Sequence, residues 1–424
     1  MSLDKIKSLI NIDFAFFLFS NFLIRGLGYL IQFILIFYIS VDEYGLLKVS
    51  ASYIDIVALS ITFGLATSII KINSSESSSP ETKNNNLIYS LLLATTIGGS
   101  VCGIIYLIDW SQLTGLDSGI SRLINALSFT ALILVINKVF VADLQSKGEF
   151  KKISSIQASS KGIGVIIVLS MVHVYGISGY IISTYLMLSL TTVFLINHWL
   201  RQKIELSLSF RGFKKFIQTN FELASYAYLS NMVFFASKNI AVLMIGYYSF
   251  DKYKLGMLSI ALTMYFVLDI ISGTLQQFFL PKLSRFSSDP YNWKKYFITL
   301  EKRFIIYSFL LALILASLSL LATEYYFVEY KYVSYALITL AFSWFISSFY
   351  TLKNVALISI GRTKVNFILS LVIFPIVSIF TAVFIEFFEV EIILFSKVLY
   401  STLMVLGYKI YFNRLDYESD KKCR

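Results

Sequence analysis

Three charged residues fall in the middle of long apolar stretches of this sequence. Lys238 lies within the stretch from Asn231 to Tyr248, Arg25 lies in an apolar run near the amino terminus, and Asp269 lies midway through another. Placing a charged residue at the centre of a membrane-spanning helix costs roughly 2.5–3.5 kcal/mol on insertion scales. If these stretches cross a membrane, we expect the charges to pair with one another or to line a water-filled cavity.

Polar residues recur near these charges at helical spacing. Asn21, Arg25 and Gln32 are four and seven residues apart, which places them on one face of a helix. Asn231 precedes Lys238 by seven residues, or two turns along the same side. A polar stripe that faced lipid would leave its groups without partners in hydrocarbon, so we expect both stripes to face protein or water.

Two interpretations of these charges stay open. Lys238 and Asp269 could pair inside a helical bundle, where such pairs can serve packing alone. Alternatively, Arg25 and Lys238 project into a cavity, where poorly screened positive charge favours an anionic ligand. Asp269 would then be a charge partner or an ion-coupling residue. Asp55 has the same chemistry, but it lies near the outer end of its apolar stretch, and exposure at the interface explains it equally well.

The composition indicates which elements hold these residues. Of the 424 residues, 57% are hydrophobic and 14% are charged, whereas about 25% are charged in ordinary soluble domains. Apolar windows of about 20 residues, the length that crosses a bilayer core, predict an all-α, polytopic membrane protein with about twelve transmembrane helices. The predicted spans 1 to 12 are 14–37, 49–70, 87–108, 120–141, 154–174, 177–197, 221–247, 255–279, 304–323, 333–358, 366–387 and 391–412.

The net charge is +11, and the distribution of the charged residues agrees with the predicted topology. Basic residues concentrate in the loops on one side of the membrane and acidic residues in the loops on the other, which is the positive-inside pattern. We therefore expect both termini in the cytoplasm and no nucleic-acid partner. Lys48 falls in an outward-facing loop. Four further basic residues lie near span ends, where their flexible stems can reach the interface: Arg122, Lys161, Lys353 and Lys397.

The chain is expected to form two halves of six helices each. The basic segment 198–220 separates them and sets domains at 1–218 and 219–424. The segments 38–47 and 247–256, YISVDEYGLL and YYSFDKYKLG, resemble each other and suggest an internal duplication. The two histidines lack metal-ligand spacing, and the sequence has no nucleotide-binding loop. We therefore expect no metal and no cofactor.

Five short segments carry a resemblance to a known family. They are VDEYGLLKVS (41–50), FGLATSIIK (63–71), KGEFKKISSIQ (147–157), PKLSRFSSD (281–289) and SIGRTK (359–364). Because these segments occur in this order, the chain resembles the O-antigen flippases, which are Wzx-type polysaccharide-biosynthesis membrane proteins. Their superfamily, the MOP exporters, also includes the MATE-type multidrug carriers and the lipid II flippase.

The resemblance implies both a fold and a transport function. The fold would be two six-helix bundles around a central cavity, and the substrate an undecaprenyl-diphosphate-linked oligosaccharide, the O-antigen repeat unit of lipopolysaccharide. This lipid would pass from the cytoplasmic to the periplasmic leaflet of the bacterial inner membrane. Arg25 and Lys238 become candidate contacts for the diphosphate or acidic sugars, with Asn21, Gln32 and Asn231 beside them. An O-antigen polymerase and a chain-length regulator are candidate partners, in addition to membrane lipid.

Two other functions are alternatives to the flippase. A cation-coupled drug or metabolite antiporter of the same superfamily would favour acidic cavity residues, and only Asp55 and Asp269 qualify. An O-antigen polymerase or membrane glycosyltransferase would carry a long outward loop, whereas the outward loops predicted here are short. We therefore expect a transporter and not an enzyme.

Overall fold

The computed structural model describes residues 26–28, 30–32, 34–73, 79–202, 206–248, 250–285, 290–325, 331–359 and 364–422. In these ranges the regular secondary structure is helical, and no β-strand occurs. Seven helical stretches of the described chain are long and apolar enough to cross a membrane. They overlap predicted spans 2 to 6 and 9 to 12. The prediction of an all-α, polytopic membrane protein is confirmed.

The chain divides into two compact units, Met1–Met232 and Val233–Arg424. In the first, helical residues 26–28, 30–32 and 34–38 precede α1 (Val41–Thr62), α2 (Leu65–Asn73), α3 (Pro80–Leu107), α4 (Trp110–Thr114), α5 (Ser118–Ser146) and α6 (Phe150–Leu200). The boundary falls inside α7 (Phe210–Ile245). The second unit continues with α8 (Lys252–Arg285), α9 (Pro290–Tyr325), α10 (Lys331–Ser359), α11 (Lys364–Phe388), a 3₁₀ turn (Glu389–Glu391) and α12 (Ile392–Lys422).

Helix α1 begins earlier than predicted because a capping box fixes its first turn. The Ser40 hydroxyl accepts a hydrogen bond from the Glu43 backbone N–H at 3.2 Å, and the Ser40 N–H donates to the Glu43 carboxylate at 3.1 Å. These bonds satisfy donors that the start of a helix leaves unpaired.

The placement of Lys48 in an outward-facing loop was wrong: this residue lies in the second turn of α1 and is half-buried.

A glycine ends α1 and lets α7 approach. Phe63 and Gly64 both have left-handed backbone angles, with φ of 40° and 69°. A side chain at Gly64 would overlap the backbone carbonyl of Ala224 in α7. The predicted continuous span 49–70 is therefore divided into α1 and α2 by a tight turn that only glycine fits at its second position.

Helix α6 is a hairpin of two antiparallel arms. Its backbone is non-helical at Gly176, where φ is 54° and ψ is −131°, in agreement with the break between predicted spans 5 and 6. The far ends of the arms meet again, since His198 Nε2 lies 3.0 Å from Glu149 Oε2. Predicted spans 5 and 6 are these two arms.

Helix α5 forms the centre of the first unit and packs against α1, α2, α3 and α6. Its apolar positions Ala131, Val135 and Val139 are fully buried. Asn137 joins it to the second arm of α6: its amide donates to the Leu188 carbonyl at 3.1 Å and accepts from the Thr192 hydroxyl at 2.9 Å. Within a membrane the hydrophobic effect does not hold helices together, so hydrogen bonds between helices contribute to their association.

Helix α10 forms the centre of the second unit, as α5 does in the first, and packs against α8, α9 and α12. The indole N–H of the buried Trp344 donates to Ser272 Oγ of α8 at 2.9 Å. Lys397, which was expected to reach the interface, is buried instead. Lys397 is only 6% exposed and lies 6.0 Å from the Tyr265 ring. Lys353 pairs with Glu301 at 3.4 Å.

Candidate functional site in the first unit

A polar cluster forms where the first helical residues meet α1 and α6. The Gln32 amide oxygen accepts hydrogen bonds from the Tyr44 hydroxyl at 3.3 Å and from Lys48 Nζ at 3.5 Å. The Gln32 amide nitrogen donates to the Tyr180 hydroxyl at 3.5 Å. Gln32 thus connects three segments of the chain, which explains why a polar residue stands among apolar ones.

Asp55 extends this cluster toward α5. It lies midway along α1, its side chain is exposed, and its charge acts on Lys48, Lys138 and Tyr180. Lys138 of α5 is also exposed. Charged side chains in the middle of a membrane helix cannot face hydrocarbon without a large desolvation cost, so we expect this face of the unit to border protein or water.

Lys138 also lines a cavity of about 340 Å³ inside the first unit. Its polar lining comes from α5 and both arms of α6: Asn137, Lys138, Gln145, Gln157, Ser160, Lys161 and Thr191. The volume is within the ordinary range of ligand sites. Two ammonium groups beside amides and hydroxyls offer donors to anionic and sugar oxygens.

Lys161 enters this cavity instead of reaching for the interface. The Lys161 ammonium approaches Gly28, where the chain has no side chain. Its Nζ would lie 3.5 Å from a Cβ atom placed on that glycine. The expectation that Lys161 reaches the membrane interface was wrong. The half-buried stem instead directs the charge into the unit.

The structure brings together two of the predicted site residues, Gln32 and Asp55, through their common neighbours Lys48 and Tyr180. Asn231 is on α7 with an exposed side chain. Asn21 and Arg25 lie outside the described residues, as do the side chains of Lys238 and Asp269. In the described part of the chain, no three His, Cys, Asp or Glu residues are grouped so that they could hold a metal ion.

Sequence reasoning missed Lys138. The predicted span 4 ended at residue 141, which placed Lys138 one turn from an inner end already rich in basic residues. Helix α5 continues to Ser146, so Lys138 lies two turns inside. Asp55 was the available signal, because a carboxylate within an apolar stretch calls for a cation on a neighbouring helix.

Comparisons with known proteins support this architecture. The model of the family described as polysaccharide biosynthesis protein matches residues 34–324. No curated protein matches the chain. Among solved structures, the chain is similar to an inward-facing multidrug resistance MATE family transporter of the MOP superfamily, with a TM-score of 0.74, 15% identity, and 94% of this chain and 96% of that chain covered.

Two other solved structures are similar over nearly their whole length. A eukaryotic MATE transporter gives a TM-score of 0.69 at 13% identity, with 94% of each chain covered. A MOP superfamily transporter from Pyrococcus furiosus, for which a reversed polarity of the binding pocket suggests a different function, gives 0.64 at 14% identity, with 95% of each covered. These likenesses show the fold. The chain belongs to the polysaccharide biosynthesis protein family and has the fold of the MATE transporters.

Proposed function

We propose that this protein is a flippase for an undecaprenyl-diphosphate-linked oligosaccharide, the O-antigen repeat unit, and that it moves this lipid from the cytoplasmic to the periplasmic leaflet by alternating access. The observation that carries the proposal is the polar cavity of the first unit, into which Lys138 and Lys161 bring positive charge, in a member of the polysaccharide biosynthesis family. Localisation in the bacterial inner membrane with both termini cytoplasmic is part of the proposal.

The chemistry of the substrate fits such a cavity. A diphosphate and its sugars cannot cross hydrocarbon without losing their hydration, whereas the polyprenyl tail can stay in lipid throughout. The cavity must therefore replace water around the headgroup with hydrogen-bond donors and positive charge. Lys138 and Lys161 offer the charge, and Asn137, Gln157 and Thr191 offer neutral partners.

The residues singled out in the sequence have assigned roles in this proposal. Arg25 and Lys238 contact the diphosphate or acidic sugars, and Asn21, Gln32 and Asn231 complete the polar lining. Asp55 and Asp269 act as charge partners or in ion coupling. For Asp55, the supporting observation is that it lies midway along α1 with an exposed side chain, in the unit that holds the cavity. An O-antigen polymerase and a chain-length regulator are proposed partners.

Deletion of the gene in an O-antigen-producing host tests the proposal. We expect the lipopolysaccharide ladder to disappear and lipid-linked repeat units to accumulate on the cytoplasmic side, with both effects reversed by a plasmid copy of the wild-type gene. An unchanged ladder in the deletion strain would refute the flippase function.

A cation-coupled drug or metabolite antiporter is the second candidate. Asp55 favours it, since an exposed carboxylate in the middle of α1 is suited to binding a cation or a proton. The same deletion strain separates the two functions. An antiporter predicts altered susceptibility to cationic drugs with the ladder intact, whereas the flippase predicts loss of the ladder with drug susceptibility unchanged.

A further inference from the structure

A second cavity, of about 360 Å³, lies at the end of the α6 hairpin that is opposite its turn. Its lining comes from both arms: Lys152, Ser155, Ile156, Phe194, Asn197, His198 and Arg201. The three residues of the first arm and the four of the second each follow the spacing of one helix face. The cavity is therefore formed by two facing helix surfaces and does not involve the site described above.

The lining has the composition of a phosphate site. It contains two cations, Lys152 and Arg201, together with the imidazole of His198, the amide of Asn197 and the hydroxyl of Ser155, and none of its residues is acidic. Arginine and lysine bind phosphate through charge-assisted hydrogen bonds, and the neutral groups add donors.

Glu149 fixes two of these groups from the rim of the cavity. Its carboxylate lies 3.1 Å from Lys152 Nζ and 3.0 Å from His198 Nε2. The amide of Gln202 lies 3.2 Å from the same histidine nitrogen. Glu149 offsets one positive charge, and with Arg201 the cavity stays net positive. These contacts join the two arms of α6 beside the cavity.

Apolar residues beside the cavity indicate that its ligand is a lipid. On the second arm, Val193, Ile196 and Leu200 are 58%, 37% and 60% exposed. They follow one another at helical spacing, next to the face that lines the cavity. In a membrane protein, such an exposed apolar stripe contacts acyl chains. A molecule that combines a phosphate with hydrocarbon would contact both surfaces, whereas a soluble phosphate would use only one.

We propose that this cavity binds the phosphate headgroup of an anionic lipid, at the membrane face that the positive-inside pattern assigns to the cytoplasm. Phospholipid and polyprenyl diphosphate carry the same chemistry. Binding of phospholipid goes beyond the proposed function, whereas binding of polyprenyl diphosphate rests on it and would make this cavity a place where the substrate waits before transport.

Lipid retention by the purified full-length protein tests the inference. The protein is delipidated in detergent, incubated with dioleoylphosphatidylglycerol or undecaprenyl diphosphate, and examined by native mass spectrometry. We expect the Lys152→Ala/Arg201→Ala variant to bind both lipids about tenfold more weakly than wild type, because it loses both cations that can form charge-assisted hydrogen bonds with the phosphate. The Arg211→Ala/Lys214→Ala variant removes two exposed cations outside the cavity and should bind like wild type.

The controls identify the ligand and guard against misfolding. The Arg201→Gln single variant changes one exposed residue at the end of a helix, and it should keep the wild-type melting temperature while its lipid affinity falls. Preference for undecaprenyl diphosphate over phosphatidylglycerol would identify the carrier, and equal binding would identify bulk phospholipid. Equal retention by wild type and the cavity variants, or equal displacement by inorganic pyrophosphate, would overturn the inference. The measurement needs no transport, so its failure is distinct from failure of the proposed function.

Discussion

Lys138 and Lys161 come from different helices and reach the same cavity of the first unit. If they hold a diphosphate, replacing both with alanine removes two charge-assisted hydrogen bonds. We expect the double alanine variant to bind the lipid-linked glycan at least about tenfold more weakly, because one such bond is worth about 1.5–3 kcal/mol. The readout is the amount of lipopolysaccharide ladder at matched protein levels.

Matched substitutions separate charge from packing at these positions. The double arginine variant keeps both charges and should restore most of the ladder. Lys214→Ala removes an exposed cation of α7 that lies outside the cavity and should have no effect. A full ladder in the double alanine variant would show that these lysines serve packing alone.

Glu149 makes the stability of the α6 hairpin depend on pH. Burial raises the pKa of this carboxyl, but the hydrogen bonds and charges of His198 and Lys152 outweigh burial and hold the pKa below its usual value. A lowered pKa in the folded state stabilises the protein above the pKa of the unfolded chain, about 4.5. This contribution is lost as the pH falls through the folded-state pKa.

We therefore expect Glu149→Gln to lower the melting temperature in detergent at pH 7 and to have a smaller effect near pH 4. Thermal unfolding of both proteins across this range provides the measurement. A difference in melting temperature that stays constant between the two pH values would contradict the assigned role of the carboxylate.

At the scale of single residues, the sequence predicted the role of Gln32 but not the positions of the lysines near it and near the cavity. Gln32 was predicted as a site residue because its helical spacing from Arg25 can be read from the local sequence. Lys48 was placed in a loop and Lys138 was overlooked, because hydropathy windows underestimate how far α1 and α5 extend. Lys161 of α6 was placed at a helix end. The direction of a long lysine stem is set by its tertiary neighbours, such as the bare backbone of Gly28 beside Lys161, and no local pattern records them.

Among the elements, the break between α1 and α2 depends on Gly64. We expect Gly64→Ala to destabilise the protein by about 2 kcal/mol or more, because the left-handed backbone is strained with a side chain and the new methyl group would meet the Ala224 carbonyl. Gly99→Ala is the matched control, since a Cβ at Gly99 in α3 meets open space and alanine favours a helix. Equal melting temperatures for the two variants would contradict the close approach of α7 to this turn.

The hydrogen bond between Trp344 and Ser272 connects α10 to α8 in the second unit. We expect Ser272→Ala to cost about 1 kcal/mol, because the buried indole N–H loses its acceptor. Ser378→Ala is the control, since this hydroxyl bonds only to the Phe374 carbonyl of its own helix among the described residues. Equal stability of the two variants in denaturant titrations would show that the indole finds another partner.

Element type and order followed from hydropathy, because a membrane imposes helices and sets their length. The break at Gly176, between spans 5 and 6, was also predicted. The start of α1 was misplaced by eight residues, although the Ser40–Glu43 capping signal is local and visible in the sequence. The break at Gly64 could not be predicted, because it reflects the approach of a helix distant in sequence.

At the scale of the whole molecule, five weak motifs in the right order predicted the family that the match over residues 34–324 shows. The solved structures share the fold at 13–15% identity, so the arrangement of helices persists where side chains have changed. That divergence explains why the fold was predictable while the cavity residues were not. A bilayer constrains helix number and direction, but the lining of a cavity changes with its ligand.

The most direct test of the central claim is glycolipid translocation by the purified protein in proteoliposomes. An undecaprenyl-diphosphate-linked oligosaccharide enclosed in the inner leaflet should become accessible to an external glycosidase when the wild-type protein is present. With the Lys138→Ala/Lys161→Ala variant, the rate should fall at least about tenfold, because the loss of even one charge-assisted contact is worth about 1.5–3 kcal/mol. Translocation no faster than in protein-free liposomes, or equally fast with the variant, would contradict the account.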